Sequence, residues 1–297
     1  MKISSIQEYI TLIEKLKSNY TYTMKLGGNL LLSGFENKPH FIFRGHGDHQ
    51  NYALLPQIFR WKNTSKGTSA TEYSQLEYNI LKDFMSEACR YIKDVSIGDI
   101  SAWLEIAQHF GVPTRLLDFT ENPLVALYFA CSDTTNANAS VWILDEYAYN
   151  RKFYNEEGVV IAAKSQAIVN EIVTHEIVNK FLNPNQGVFP YPWIYKPFYR
   201  EERMNLQSSI FMIWGARQNK LTDFISSGDY MTDENVTNAD HGIICYIEIP
   251  ADKKDAILQQ LNLLGINNKF IYPGIEGVGK YIKTKYSSES LGKGNTI

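Results

Sequence analysis

The sequence predicts a single domain of mixed α+β type over residues 1–297, with a helix-rich N-terminal half and a mostly antiparallel sheet built largely from the later strands. Three observations predict it. Apolar residues recur at helical spacing in several early segments. Short β-branched and aromatic runs bounded by turn residues gather in the last third. No internal repeat or low-complexity linker divides the chain, so helices and strands must share one core.

The elements follow in order. "SSIQEYITLIEKL" opens with Ser5 and Glu8 in capping-box spacing, and Ile6, Tyr9, Ile10 and Ile13 then form one helical face. "FIF" (41–43) reads as a strand, and "NYALLPQIFRW" as a short segment broken at Pro56. From Tyr73 to Ile92, Leu76, Ile80, Phe84 and Ala88 recur every four residues, the mark of a long amphipathic helix. Ser101 is the expected N-cap of a helix carrying Trp103, Ile106, Ala107 and Phe110, which stops at Gly111 and Pro113. A connector then leads to Asn122 as N-cap and Pro123 at the first helical position. "LVALYFA" is apolar on every side, so that helix is expected at the centre of the core. "SVWIL" reads as a strand and "QAIVNEIVTHEIVNKFL" as a helix. The segment 183–200, with four prolines and many aromatics, reads as an ordered loop. "SSIFMIW" and "GIICYIEI" are strands, and "DKKDAILQQLNLLG" is a helix closed by Gly265.

Composition narrows the function. With 44% hydrophobic and 21% charged residues and a net charge of -3, the chain has no electrostatic footprint for nucleic acid. The charged N-terminal stretch does not read as a signal peptide, and no apolar run is long enough to span a bilayer. Three scattered cysteines, Cys89, Cys131 and Cys245, form no CxxC pair, so neither a disulfide framework nor a thiolate metal site is expected, and a reducing, cytoplasmic setting is the default. Walker, GxGxxG, GxSxG and HExxH motifs are missing. His46 and His49 flank Asp48, but no third and fourth ligand can be named, so no metal is expected.

Two stretches carry the polar chemistry. In "FIFRGHGDHQ" a strand ends on Arg44, and arginine is almost never buried without a partner. Gly45 is expected to let the backbone turn away at once. In "QHFGVPTRLLDFTENP", Gln108, His109, Thr114, Arg115, Asp118, Glu121 and Asn122 gather in and around the connector between two buried helices. Either these groups receive an anion at a helix N-terminus, or Arg115 pairs with Asp118 and Arg44 with Glu121 as braces.

These stretches resemble the FRG domain family. Phe43, Arg44 and Gly45 stand at the motif that names it, Leu55, Pro56 and Arg60 match the segment that follows, and residues 108–130 match its longest signature. "RMNLQSSIF" (203–211) and "IYPGIEGVGKYI" are similar to later blocks, which puts the core motifs at 41–60, 108–130, 203–215 and 242–283. His46 stands where the family often has Gln, Phe119 where Trp is common, and Ser209 where Gly is usual. That last change leaves the backbone at Ser209 less free to adopt positive φ.

The order of motifs is in turn similar to that of ADP-ribosyltransferases, in which an early-strand arginine binds NAD phosphates and a later acid stabilises positive charge on the ribose. The resemblances imply a bacterial protein that cleaves NAD or transfers ADP-ribose, in a toxin or defence setting. Arg44 would bind the diphosphate, Ser208 or Ser209 would lie by the nicotinamide ribose, and Glu276 would be the acid, with Glu121 or Asp118 as substitutes. Gly45, His109, Arg115, Arg203 and Gln207 complete the ligand-binding set. NAD would be a substrate, with no cofactor required; the expected partner is a small anionic or nucleotide ligand, with neither nucleic acid nor membrane. The alternative is a non-catalytic sensing or partner-binding module whose arginines are structural.

Overall fold

The computed structural model describes residues 1–18, 39–61, 70–154, 162–179, 189–231 and 242–290. In chain order they form α1 (Ile6–Ser18), β1 (Phe41–His46), α2 (Gln57–Arg60), α3 (Ala70–Ala88), α4 (Ile100–His109), β2 (Leu116–Thr120), α5 (Pro123–Ser132), β3 (Ala139–Asp145), α6 (Glu146–Tyr154), α7 (Ala162–Val173), β4 (Trp193–Tyr195), α8 (Glu202–Leu206), β5 (Ser209–Ile213), β6 (Ile244–Ile249), α9 (Lys254–Leu263), α10 (Asn268–Ile271) and α11 (Ile275–Ser290). The strands make one six-stranded sheet in the order β4-β5-β2-β1-β3-β6, and every ladder in it is antiparallel.

The fold is therefore α+β with an antiparallel sheet, but its strands come equally from both halves of the chain. The difference lies at "LLDFT", which reads as a connector and is β2. Its burial falls on both faces, because the sheet is covered on both sides and the simple alternation of a half-exposed strand is lost. The helix α7 continues as a π-helical turn, Thr174–Asn179, before the described residues break off at 180. Of the aromatic loop 183–200, residues 183–188 lie outside the described set, and the rest contains the edge strand β4. Pro192 precedes that strand, a position an edge strand tolerates.

Local caps explain where several helices begin. Asp99, two residues before the expected Ser101, is the N-cap of α4 and accepts from the Ala102 amide at 3.1 Å. Asn122 caps α5 through the Leu124 amide, with Pro123 in the first turn, as expected. At α1 the box is divided: Ser5 Oγ accepts from the Glu8 amide, while the Glu8 carboxylate reaches back to the Ser4 amide at 2.7 Å.

Three apolar clusters flank the sheet. One face carries Ile42, Leu117, Phe119, Trp142, Leu144, Ile210 and Met212. The opposite face is divided between a cluster around α5, α1 and α9 and a second around α3, α4 and α7. β1 and β2 share a single register pair, Phe43↔Thr120, and diverge beyond it. The candidate site lies at this divergence and is lined by residues of all three clusters.

Candidate functional site

Where β1 leaves β2, the guanidinium of Arg44 spans the gap. Its NH1 donates to the Asp118 carbonyl at 2.5 Å and its Nε to His46 Nε2 at 3.1 Å. The side chain thus bonds a carbonyl of the neighbouring strand where the ladder has parted. It makes no pair with Glu121, as the bracing reading required. Because Nε2 must accept, the His46 proton lies on Nδ1 and the ring is neutral. Burial, followed by the charges of Arg44 and Arg60, pushes His46 down to about 3. Burial also draws Arg44 down, the Asp118 carboxylate pulls it back and Arg60 lowers it again, leaving about 10. Arg44 is therefore a cation at neutral pH, with guanidinium donors left over.

Those donors face a cavity of about 340 Å³. Arg44, Arg60 and Arg203 all line it, against two carboxylates, Asp118 and Asp133. Each wall has a structural origin. Arg60 is the last residue of the short helix α2. Arg203 comes from α8 and lies 4.8 Å from the Tyr272 ring centroid, a cation–π contact that ties it to the C-terminal block. Gln207 donates to the Ile271 carbonyl at 2.9 Å, while its own carbonyl accepts from the Thr120 hydroxyl. Asp118 is held by a relay in which Thr114 Oγ1 donates to Gln108 Oε1 at 2.6 Å and Gln108 Nε2 to Asp118 Oδ2 at 2.8 Å. His109, from the end of α4, is lowered by burial and then by Arg203, which favours the neutral ring.

The two glycines of the first motif serve packing. Gly45 is inside β1, paired with Val141, so the backbone does not turn there. A Cβ on it would lie 2.1 Å from the Ala126 carbonyl oxygen, so Gly45 lets α5 cross the strand in contact with the backbone. A Cβ on Gly47 would lie 2.0 Å from Asp133 Cβ, so that glycine makes room for the Asp133 side chain.

Of the residues singled out in sequence, Arg44, Gly45, His109, Asp118, Arg203, Gln207 and Ser209 come together around this cavity. Four do not. Arg115 is 1% exposed: its NH2 lies 2.7 Å from Glu77 Oε2, its Nε donates to the same oxygen, and its backbone amide donates to Oε1 at 2.9 Å. Its partner is thus Glu77 on α3, neither Asp118 nor a ligand. Glu276, in the first turn of α11, is exposed and pairs with Lys280 at 2.7 Å, outside the cavity. Ser208 does not line it either; its carbonyl accepts from the Glu121 amide, and its φ of 47° is the one positive value among described non-glycine residues. The left-handed residue is thus Ser208, and Ser209 is extended and paired with Thr120.

Glu121 is occupied elsewhere. His40 lies between Glu146 (Nδ1 to Oε2, 2.7 Å) and Glu121 (Nε2 to Oε1, 3.1 Å), and Lys196 reaches Glu121 at 2.7 Å. The bond to Glu121, followed by that to Glu146, raises His40 from 6.5 to about 9, and His40 foremost lowers Glu121 from 4.5 to about 2. A raised His favours the fold most below its unfolded value and loses that contribution as pH rises through the folded one. The lowered Glu121 contributes above 4.5 and loses it toward 2. The cluster therefore stabilises most between about pH 4.5 and 6.5. His40→Gln is expected to remove the alkaline decline: wild type should lose more melting temperature between pH 6 and 9.5 than the variant does. The difference is modest because the groups are partly exposed. Equal slopes in the two proteins would rule this out.

Arg60, Tyr52, His46 and Asp133 also line the cavity, beyond the site residues the sequence points to. Arg60 belongs to the motif segment that follows Pro56, and its place after the apolar Ile58–Phe59 pair is the signal for it. Among the described residues no group of three His, Cys, Asp or Glu side chains is arranged to hold a metal. Asp48 is turned to the amides of Gln50 and Asn51. No described helix is long and apolar enough to cross a membrane.

Residues 39–139 match the family model of the FRG domain, a span that supplies Arg44, Arg60, Asp118 and Asp133. No curated protein and no solved structure matches the chain.

Proposed function

We propose, for a chain that carries an FRG domain, that the cavity between β1, β2 and α8 binds a small phosphate-bearing ligand. The observation that supports this is the convergence of three guanidinium groups, none of which makes an ion pair among the described residues. Arg44 spends one N–H on a carbonyl and one on a neutral imidazole, so its charge is left uncompensated at contact. Guanidinium forks match phosphate oxygens in pairs, and such charge-assisted bonds are the stronger kind. Apolar Phe43, Phe119, Phe129 and Phe211 also line the site and lower the local dielectric around these bonds.

A second reading, cleavage of NAD or transfer of ADP-ribose, is favoured by one feature: Asp118 shares this cavity with the arginines. Of Glu276, Glu121 and Asp118, it alone lines the cavity. Breaking a glycosidic bond builds positive charge on the ribose, and a carboxylate held in place lowers that barrier. The Thr114–Gln108–Asp118 relay holds it. The experiment is incubation of the protein with NAD, following free nicotinamide by chromatography, with Asp118→Asn in parallel. Under this reading wild type releases nicotinamide and the variant is slowed about a hundredfold or more. Calorimetric binding of ADP-ribose without nicotinamide release would leave the non-catalytic, ligand-sensing module. Absence of both would remove the anion-binding reading itself.

A further inference from the structure

The cavity has a second polar element that the phosphate reading does not use. Tyr52 donates its hydroxyl to Asp133 Oδ2 at 2.9 Å, and both residues line the cavity together with His46. Asp133 is built into place. Its Oδ1 accepts from the Thr135 amide at 2.9 Å, and its side chain rests on Gly47, where no Cβ could fit. Behind it, the buried Lys254 ammonium donates to the Thr135 carbonyl at 2.9 Å and the Gly47 carbonyl at 3.2 Å, holding together the two segments that bracket Asp133. Burial raises the acid, but the Thr135 amide, the Tyr52 hydroxyl and Lys254 outweigh it and hold Asp133 below the usual carboxylate range.

An ionised carboxylate in a cavity meant for an anion repels the ligand unless the ligand brings hydrogen-bond donors to it. A carboxylate has about four lone-pair sites, so beyond the Tyr52 hydroxyl and the Thr135 amide and side chain Asp133 still has room to accept from a ligand. From the pairing of a three-guanidinium wall with a fixed Tyr52–Asp133 acceptor we infer that the ligand is a sugar phosphate or nucleotide. Its phosphate meets Arg44 and Arg60, and its sugar hydroxyls donate to Asp133. This rests on the phosphate-binding reading and names its substrate class. It also identifies an acid other than Glu276, Glu121 and Asp118 as the one that selects the sugar.

The test is calorimetric titration with inorganic phosphate and with ribose 5-phosphate, using wild type, Asp133→Asn and Tyr52→Phe. Wild type is expected to bind ribose 5-phosphate at least tenfold more tightly than phosphate, the scale of one hydrogen bond to a charged group. In Asp133→Asn the two ligands should move in opposite directions. Phosphate binds somewhat more tightly because a like charge is gone, whereas ribose 5-phosphate weakens about tenfold. A misfolded variant would weaken both. Tyr52→Phe leaves the carboxylate but loosens it, and should weaken ribose 5-phosphate by a smaller factor with phosphate unchanged in direction. If wild type binds the two ligands equally, or Asp133→Asn keeps the preference, the inference is wrong while the phosphate site stands. If neither ligand binds, the phosphate reading fails and the inference with it.

Discussion

Glu77→Ala is expected to lower stability by about 3–5 kcal/mol, the usual cost of leaving one buried charge without its partner. Arg115 and Glu77 are each 1% exposed, and the Arg115 guanidinium also donates to the Trp214 carbonyl at 3.0 Å and the Glu176 carbonyl at 3.2 Å. It joins α3, the start of β2, the end of β5 and the π-helical turn. With Glu77 cut back to alanine, the buried Arg115 guanidinium loses that carboxylate and keeps the Trp214, Gly215 and Glu176 carbonyls, and its backbone amide loses the acceptor Oε1. A protein with typical stability of about 5–15 kcal/mol would lose a large share of it. Urea denaturation measures this directly. Glu77→Gln, which keeps an acceptor for the amide but not the charge, should fall between the two. A shift in Glu77→Ala below about 1 kcal/mol would mean that Arg115 finds water or another acceptor, and the brace would not be one.

Arg44→Ala should behave in the reverse way. Its guanidinium lies at the cavity wall with a carbonyl and an imidazole as partners, so truncation leaves no stranded charge and removes a neighbour that Arg60 repels. The expected stability loss is about 1 kcal/mol, the scale of the two hydrogen bonds given up. Binding of a phosphate-bearing ligand should weaken by roughly tenfold to a hundredfold, since a paired, charge-assisted contact is lost. Arg44→Lys should recover little, because one ammonium cannot bond Asp118 and His46 while also presenting a fork to the ligand. Calorimetry with ADP-ribose beside a thermal melt separates the effects. An Arg44→Ala protein that melts as if braceless, yet still binds, would transfer Arg44 to the structural role now held by Arg115.

These two arginines show how far the sequence could be read. Both stand in polar motifs next to apolar runs, and both were expected to meet either a ligand or a carboxylate. Nothing local distinguishes them. The partner of Arg115 is thirty-eight residues away in sequence, on a helix whose periodicity identifies Glu77 only as one position among many. The cavity that receives Arg44 exists because β1 and β2 part after one register pair, and register is a property of the assembled sheet. Glu276 failed for the same reason: its block lies near the site through Ile271 and Tyr272, but its own place in the first turn of α11 points it to Lys280 and solvent.

What the sequence determined by itself is local. Apolar spacing gave away α1, α3 and α9, Asn122 and Pro123 the start of α5, and β-branched runs β3, β5 and β6, because cap chemistry and side-chain periodicity act over a few residues. It also held the motifs that match an FRG domain. Only the tertiary structure decided which motif residues share a cavity. It brought Arg60 and Arg203 to Arg44 from elements far apart in the chain, seated Asp133 on Gly47, and withdrew Arg115 and Glu121 into pairs of their own. The physical reason is that charge and hydrogen bonding act through space over a few ångströms, so their partners are set by how the sheet and helices close, and not by distance along the chain.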